Sequence, residues 1–121
     1  MGHDVVLVAG PVALKTPKGV RRVDVVSARD MLAAVEKEQF DCFISTAAVA
    51  DWRPAECAST KLKKGTMDGG LKLVRNPDIL KSVQGCVKVG FAAETHDVLK
   101  EALRKCREKD LAMTVASDVT E

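Results

Sequence analysis

At 121 residues, 46% hydrophobic and 30% charged, the chain has the length of one domain with its own core and too much apolar content for disorder. A formal net charge of +2, 3% aromatic residues and no tyrosine argue against a nucleic-acid surface, which needs a concentrated basic footprint and stacking platforms. The cysteines (Cys42, Cys57, Cys86, Cys106) lack the paired spacing of a zinc site, and no apolar stretch reaches the roughly 18 residues of a membrane span, so no metal site, no membrane association and a cytoplasmic setting are expected.

Asp4 to Gly10 reads as a buried strand and Val12 to Gly19 as a loop punctuated by Pro17 and Gly19. Val20 to Val26 is a second strand, with Arg21-Arg22 at a solvated entrance. Ser27 is an N-cap with Asp30 as its capping partner, and the helix that follows runs to about Glu38 and buries Met31, Leu32 and Val35. Phe40 to Thr46 is a third strand. Its Cys42-Phe43-Ile44 run has the character of a strand buried on both faces, and Cys42 and Cys86 read as buried small hydrophobes. The helix crosses over between strands that should be parallel.

The segment Ser45 to Pro54 then changes character. Small side chains at Ser45, Thr46, Ala47, Ala48 and Ala50 allow a ligand close to the backbone, Asp51 adds an acceptor-only carboxylate, and Trp52-Arg53-Pro54 is expected to end regular structure. Ligands of open α/β sheets sit beyond the carboxyl ends of strands, which is where this segment falls. The plainer alternative is a turn in which Asp51 bonds its own backbone.

From Ala55 to Leu73 the chain becomes basic and irregular, with Lys61, Lys63 and Lys64 close together, a turn at Asp68-Gly69-Gly70 and a short strand at Leu71 to Val74. Asn76-Pro77-Asp78-Ile79 reads as a helix start, with Asn76 as N-cap, Pro77 first in the helix and Asp78 in the first turn; the helix stops near Gly85. Val87 to Ala93 is the fourth main strand. Thr95 is the expected cap of a helix reaching about Lys109, with an apolar stripe of Val98, Leu99, Ala102, Leu103 and Cys106 and with Lys105 and Lys109 along its edge. Leu111 to Ala116 is the last strand. No Walker A sequence and no Gly-x-Gly-x-x-Gly is present.

One sheet would gather the segment after Ser45, the lysine loop, the Asn76 helix start and Gly90 to Glu94. Such a grouping suits a nucleotide: cationic groups neutralise charge developing at phosphorus, and Phe91 offers a flat face to a base. Each element also has an ordinary structural role: a solvated lysine run, a core phenylalanine, or Lys105 and Lys109 paired with Glu101 and Glu108.

Leu7-Val8-Ala9-Gly10-Pro11-Val12, Ala47-Ala48-Val49-Ala50-Asp51-Trp52-Arg53-Pro54, Lys61-Leu62-Lys63-Lys64, Asn76-Pro77-Asp78-Ile79 and Gly90-Phe91-Ala92-Ala93-Glu94-Thr95 occur in this order. The set closely resembles bacterial phosphopantothenate–cysteine ligase, the C-terminal half of the bifunctional coenzyme A biosynthesis flavoprotein. The resemblance implies a Rossmann-like, three-layer α/β domain with a mainly parallel sheet over 1–121, and a basic flap at about 55–73. It implies ligation of 4′-phosphopantothenate to cysteine with CTP and Mg2+ or Mn2+, through an acyl-cytidylate. It also implies nucleotide contacts from Ser45, Thr46, Ala47, Asp51, Lys61, Pro77, Asp78, Ile79, Leu80, Phe91, Lys105 and Lys109, with Lys61 catalytic. Homodimerisation or higher self-association is expected, and a flavin-dependent decarboxylase domain in the full-length protein, with no flavin on this chain.

The pattern also departs from the family. The usual first strand, with the glycine-rich segment and asparagine that follow it, has no counterpart here, nor has the C-terminal part, and Ser117-Asp118-Val119 stands where Asn-Asp-Val is usual. The resemblance therefore implies an internal piece of the ligase that does not turn over alone. Two other functions compete with it: an NAD(P)-binding oxidoreductase domain, and a non-catalytic nucleotide-binding module.

Overall fold

The computed structural model describes residues 2–63 and 70–120; Lys64 of the basic loop and Asp68-Gly69 of its expected turn lie outside them. The described strands fall into three ladders. β1 (Val6–Ala9) pairs in parallel with β2 (Arg21–Asp24), while β3 (Cys42–Ser45), β6 (Val87–Glu94) and β7 (Met113–Asp118) form a parallel sheet with β6 central. β4 (Trp52–Pro54) and β5 (Leu73–Arg75) make an antiparallel ribbon. The helices are α1 (Ala28–Glu36), α2 (Ile79–Ser82) and α3 (Val98–Glu108). The mixed α/β class and the parallel pairing are as read, but the strands form separate ladders where one sheet was expected.

Local chemistry explains where the elements start. At α1 the capping box is complete: Ser27 Oγ accepts from the N–H of Asp30, and the Asp30 carboxylate accepts from the N–H of Ser27. The Ser27 hydroxyl also donates to the Asp30 carboxylate at 2.8 Å, and this bond, with the one from the Ser27 N–H, holds the Asp30 carboxyl below the usual carboxylate range. Val35 of α1 joins Ile79 and Val83 in the core cluster, with Met31, Leu32, Phe40, Phe43 and Cys86 packed around them. Arg21 and Arg22 do more than mark a solvated entrance: Arg21 pairs with Glu38, and Arg22 bonds Asp24 at 2.6 Å and the carbonyl of Leu14 at 3.0 Å.

Several expectations are corrected. The Cys42-Phe43-Ile44 run is not buried on both faces. Phe43 and Ser45 are half-buried but Cys42 and Ile44 are exposed, because among the described residues β3 is an edge strand with a ladder on one side. In β1, likewise, Val6 and Leu7 are exposed. Cys42 is exposed and Cys86 half-buried rather than both buried. Trp52-Arg53-Pro54 does not end regular structure but forms β4; Pro54, opposite Leu73, is tolerated because the ribbon is two-stranded and its outer edge needs no donor.

Two helix caps also move. The N-cap of α2 is Asp78, whose side chain accepts from the N–H of Lys81 at 3.1 Å; Asn76 is occupied elsewhere. The N-cap of α3 is Asp97, in the left-handed region at φ 48°, without a side-chain cap bond. Thr95 cannot cap it because β6 runs on to Glu94, which pairs with Asp118, so the helix begins later. On α3 only Ala102 is buried, with Val98 and Cys106 half-buried and Leu99 and Leu103 exposed. The line Val98-Ala102-Lys105-Lys109, expected at the edge of the stripe, is therefore the face turned inward.

Val35 is 4% exposed and Val26 83%. Val35→Ala should cost about 2 kcal/mol of stability, from lost burial plus a cavity, whereas Val26→Ala should stay within about 0.5 kcal/mol. Urea unfolding of the two variants measures the difference; equal losses would contradict the packing.

Candidate nucleotide site at the carboxyl ends of the parallel strands

β3 ends at Ser45, which lies opposite Gly90 of β6. β6 continues through Phe91, Ala92, Ala93 and Glu94, now paired only with β7. The sheet therefore has a step at its carboxyl end, with Ser45 on one side and Phe91 above it. Open α/β sheets hold ligands outside the carboxyl ends of their strands, which is where this step lies. Thr46 and Ala47 leave β3 directly at the step, both exposed.

α2 comes close to this step because residue 90 is glycine. A Cβ there would meet Leu111 Cδ1 at 2.7 Å and Leu80 Cδ2 at 3.1 Å. Ile79 and Leu80 are each 5% exposed, so their side chains anchor the start of α2 in the core and leave only backbone to face a ligand. Pro77, half-buried, precedes Asp78 at the turn into the helix.

α3 supplies the positive charge. Glu101 and Glu108 both bond Arg104, at 2.8 and 2.6 Å, rather than Lys105 and Lys109 as the alternative reading had it. The two lysines, one turn apart, point elsewhere. Lys109 Nζ pairs with Asp78 Oδ2 at 2.9 Å, and Lys105 Nζ donates to the carbonyl of Phe91. The carbonyl of Lys109 in turn accepts from Nζ of Lys88, a 4% exposed residue of β6, at 2.6 Å, which places a cation at the negative end of α3. Burial pushes the Asp78 carboxyl up, but the Lys109 hydrogen bond, the N–H of Lys81 and the charges of both lysines outweigh it and hold the group below the ordinary range.

The segment after β3 is tied to the same region through Asn76. The N–H of Asn76 donates to the carbonyl of Asp51 at 2.7 Å, and its Nδ2 to the carbonyl of Ala50 at 2.7 Å. Arg53 Nη1 donates to Asn76 Oδ1 at 3.1 Å and to the carbonyl of Arg75 at 2.6 Å, while the Arg75 guanidinium lies 4.9 Å from the Trp52 ring centroid.

Contacts thus link Asp51, Pro77-Asp78, Lys105, Lys109 and Phe91, with Ser45 adjacent through the β3–β6 register. Lys61 is exposed on the chain between β4 and β5, with no ion pair or hydrogen bond to another described residue. Sequence reading missed the side-chain roles of Asn76 and Arg53. The signal was present: the apolar alternation at Leu71 to Val74 can extend to Arg75, and Asp78, three residues before Lys81, is as good a cap as Asn76. Among the described residues no group of three or more His, Cys, Asp or Glu side chains is placed to hold a metal ion, and no helix is long and apolar enough to cross a membrane.

A family model for the DNA/pantothenate metabolism flavoprotein C-terminal domain matches residues 1–121. The coenzyme A biosynthesis bifunctional protein CoaBC of Vibrio parahaemolyticus is 48% identical over 130 aligned residues, covering 99% of this chain and 32% of that protein. The protein of the same name from Escherichia coli K12 is 44% identical with the same coverage. The chain thus spans about a third of the length of these relatives. Among solved structures, the C-terminal domain of a CoaBC protein is 41% identical and superposes with a TM-score of 0.80, over 97% of this chain and 57% of that one. The DNA/pantothenate metabolism flavoprotein of Streptococcus pneumoniae, at 19% identity, shares the fold with a TM-score of 0.78, over 98% of this chain and 66% of that one.

The Asp78–Lys109 pair makes a checkable statement about acid. A carboxyl depressed in the folded state contributes stability that is present above its unfolded pKa and is lost as pH falls through the folded value. Lys109→Met should raise the Asp78 carboxyl and shift the acid loss of stability to higher pH. Carboxyl-carbon NMR titration reads it directly; an unmoved Asp78 would mean the pair is not formed in solution.

Proposed function

The chain belongs to the family of the DNA/pantothenate metabolism flavoprotein C-terminal domain, and from that premise we propose that it serves the CTP-dependent joining of 4′-phosphopantothenate to cysteine. In this reading the pantothenate carboxylate attacks the α-phosphorus of CTP, the bond to the β-phosphate breaks, and pyrophosphate leaves an acyl-cytidylate behind. The cysteine amine then attacks the acyl carbon, CMP departs, and 4′-phosphopantothenoylcysteine results. The observation that carries the proposal is that Lys105 and Lys109 both leave α3 for acceptors off the helix, Lys105 for the Phe91 carbonyl at the step where β3 stops and β6 runs on, and Lys109 for Asp78 at the start of α2.

Each lysine is held by an acceptor that a phosphate oxygen can replace, so the two together suit a triphosphate. Phe91, 38% exposed, has ring surface for the base, and Ser45, Thr46, Ala47 and Asp51 line the other side of the step. Pro77-Asp78 with the anchored Ile79 and Leu80 holds the backbone between them. Lys61 comes from the basic loop to neutralise charge on the phosphates in the transition state. Mg2+ or Mn2+ enters with the nucleotide as part of the substrate, and the residues gathered here supply positive charge rather than metal ligands. We further read the protein as cytoplasmic and self-associating, most simply a homodimer. The word bifunctional in the relatives' names fits a second catalytic part, read here as a flavin-dependent decarboxylase whose flavin needs nothing from this chain.

A pyrophosphate-release assay with 4′-phosphopantothenate and cysteine, on the full-length protein carrying this domain, tests the proposal. CTP should be used well ahead of ATP, since a site that hydrogen-bonds one base leaves buried groups unpaired with another. Lys61→Gln should lower kcat by roughly 100-fold, the scale of one lost preorganised donor. Equal use of the two nucleotides would remove the base assignment, and an unchanged kcat would return Lys61 to a solvated loop.

A further inference from the structure

Among the described residues, the hydrogen bonds that join 46–51 to 76–80 both belong to Asn76: its N–H to the Asp51 carbonyl and its Nδ2 to the Ala50 carbonyl, each 2.7 Å. Its Oδ1 accepts from Arg53 Nη1 at 3.1 Å. The orientation of the amide follows from its partners, because nitrogen must face the carbonyl and oxygen the guanidinium. Both polar atoms of the side chain are thus engaged within the protein. Two residues on, Asp78 holds Lys109.

We propose that Asn76 is a positioning residue for nucleotide recognition, setting the distance between the wall at 45–51 and the wall formed by Pro77 to Leu80 with Lys105 and Lys109. The proposal rests on the nucleotide reading of the site given above. Its physical content is that the lysines alone can hold phosphates whereas the nucleoside lies between the two walls, so ligands filling that space depend on Asn76 and ligands held by the lysines alone do not. Asp is the informative replacement. It keeps an acceptor for Arg53 but sets a carboxylate oxygen against the Ala50 carbonyl, acceptor facing acceptor. Ala removes both side-chain bonds without that repulsion.

The test is calorimetric titration of the full-length protein carrying this domain, wild type, Asn76→Asp and Asn76→Ala, with Mg–CTP and with inorganic triphosphate, which lacks the base. The wild type should bind CTP more tightly than triphosphate. In both variants that ratio should fall by about 10-fold, the scale of one hydrogen bond lost, with triphosphate affinity unchanged; a general loss of packing would weaken both ligands together. Arg53→Lys, which leaves the Ala50 bond intact, should fall between. An unchanged ratio in folded variants, or an equal weakening of both ligands, overturns the positioning role alone. Failure of both Asn76 variants to fold overturns it too, since Asn76 would then serve the fold. A wild type with no preference for CTP over triphosphate overturns the nucleotide reading itself, and the proposal with it.

Discussion

The arrangement of the site depends on β6 being hydrogen-bonded along both edges, but not over the same residues. β3 pairs with Val87 to Gly90, and β7 with Val89 to Glu94. The overlap at Val89 and Gly90 is where three strands lie side by side, and here the backbone polar groups of a parallel sheet find partners on either hand. Past it, no strand among the described residues lies along one edge of β6. The step produced by this offset is where Ser45 ends and Phe91 begins. The absence of a side chain at Gly90 lets Leu80 and Leu111 close over the overlap. A strand pairing and one missing Cβ together bring the start of α2 to the end of β3.

Charge is then distributed by competition on α3. Arg104, with its broad guanidinium, takes both nearby glutamates at (i, i−3) and (i, i+4) spacing, and its hydrogen bonds to them, with their charges, raise its pKa. Lys105 and Lys109 are left for acceptors off the helix. The pair at Asp78 is half-open to solvent, with side-chain exposures of 25% for Lys109 and 42% for Asp78. A contact so exposed contributes little to stability. It does keep an ammonium in place at small cost when an anion replaces the carboxylate.

The fold class and, apart from β4, the order of elements were legible because they rest on local patterns. The Ser27–Asp30 box and the β6 run are short-range signals, and each appears where read; α1 also forms where read, but it joins β2 and β3 of separate ladders rather than crossing over within one sheet. The failures share a cause: burial is set by neighbours, which a local pattern does not contain. Ile44 reads as core and is 59% exposed because no strand among the described residues pairs beyond β3. Leu99 and Leu103 read as a core stripe, yet α3 rests on β6 and β7 through Ala102. Asn76 reads as a cap because Asn-Pro is a cap signal; its amide instead bonds Ala50, 26 residues earlier in the chain. The identities of the site residues came through a family pattern, whereas the contacts among Asp78, Lys109, Lys105 and Phe91 needed coordinates.

Trp52, beneath the Arg75 guanidinium, is the single tryptophan of a chain with no tyrosine. Its near-ultraviolet signal therefore originates at one address, on the ribbon strand next to Asp51 and across the ladder from the residue before Asn76. Indole emission and ring ellipticity are sensitive to a stacked cation and to water. The molecule thus carries an internal optical probe at the wall of its own crevice, and rearrangements there can be followed in the unlabelled protein, in real time.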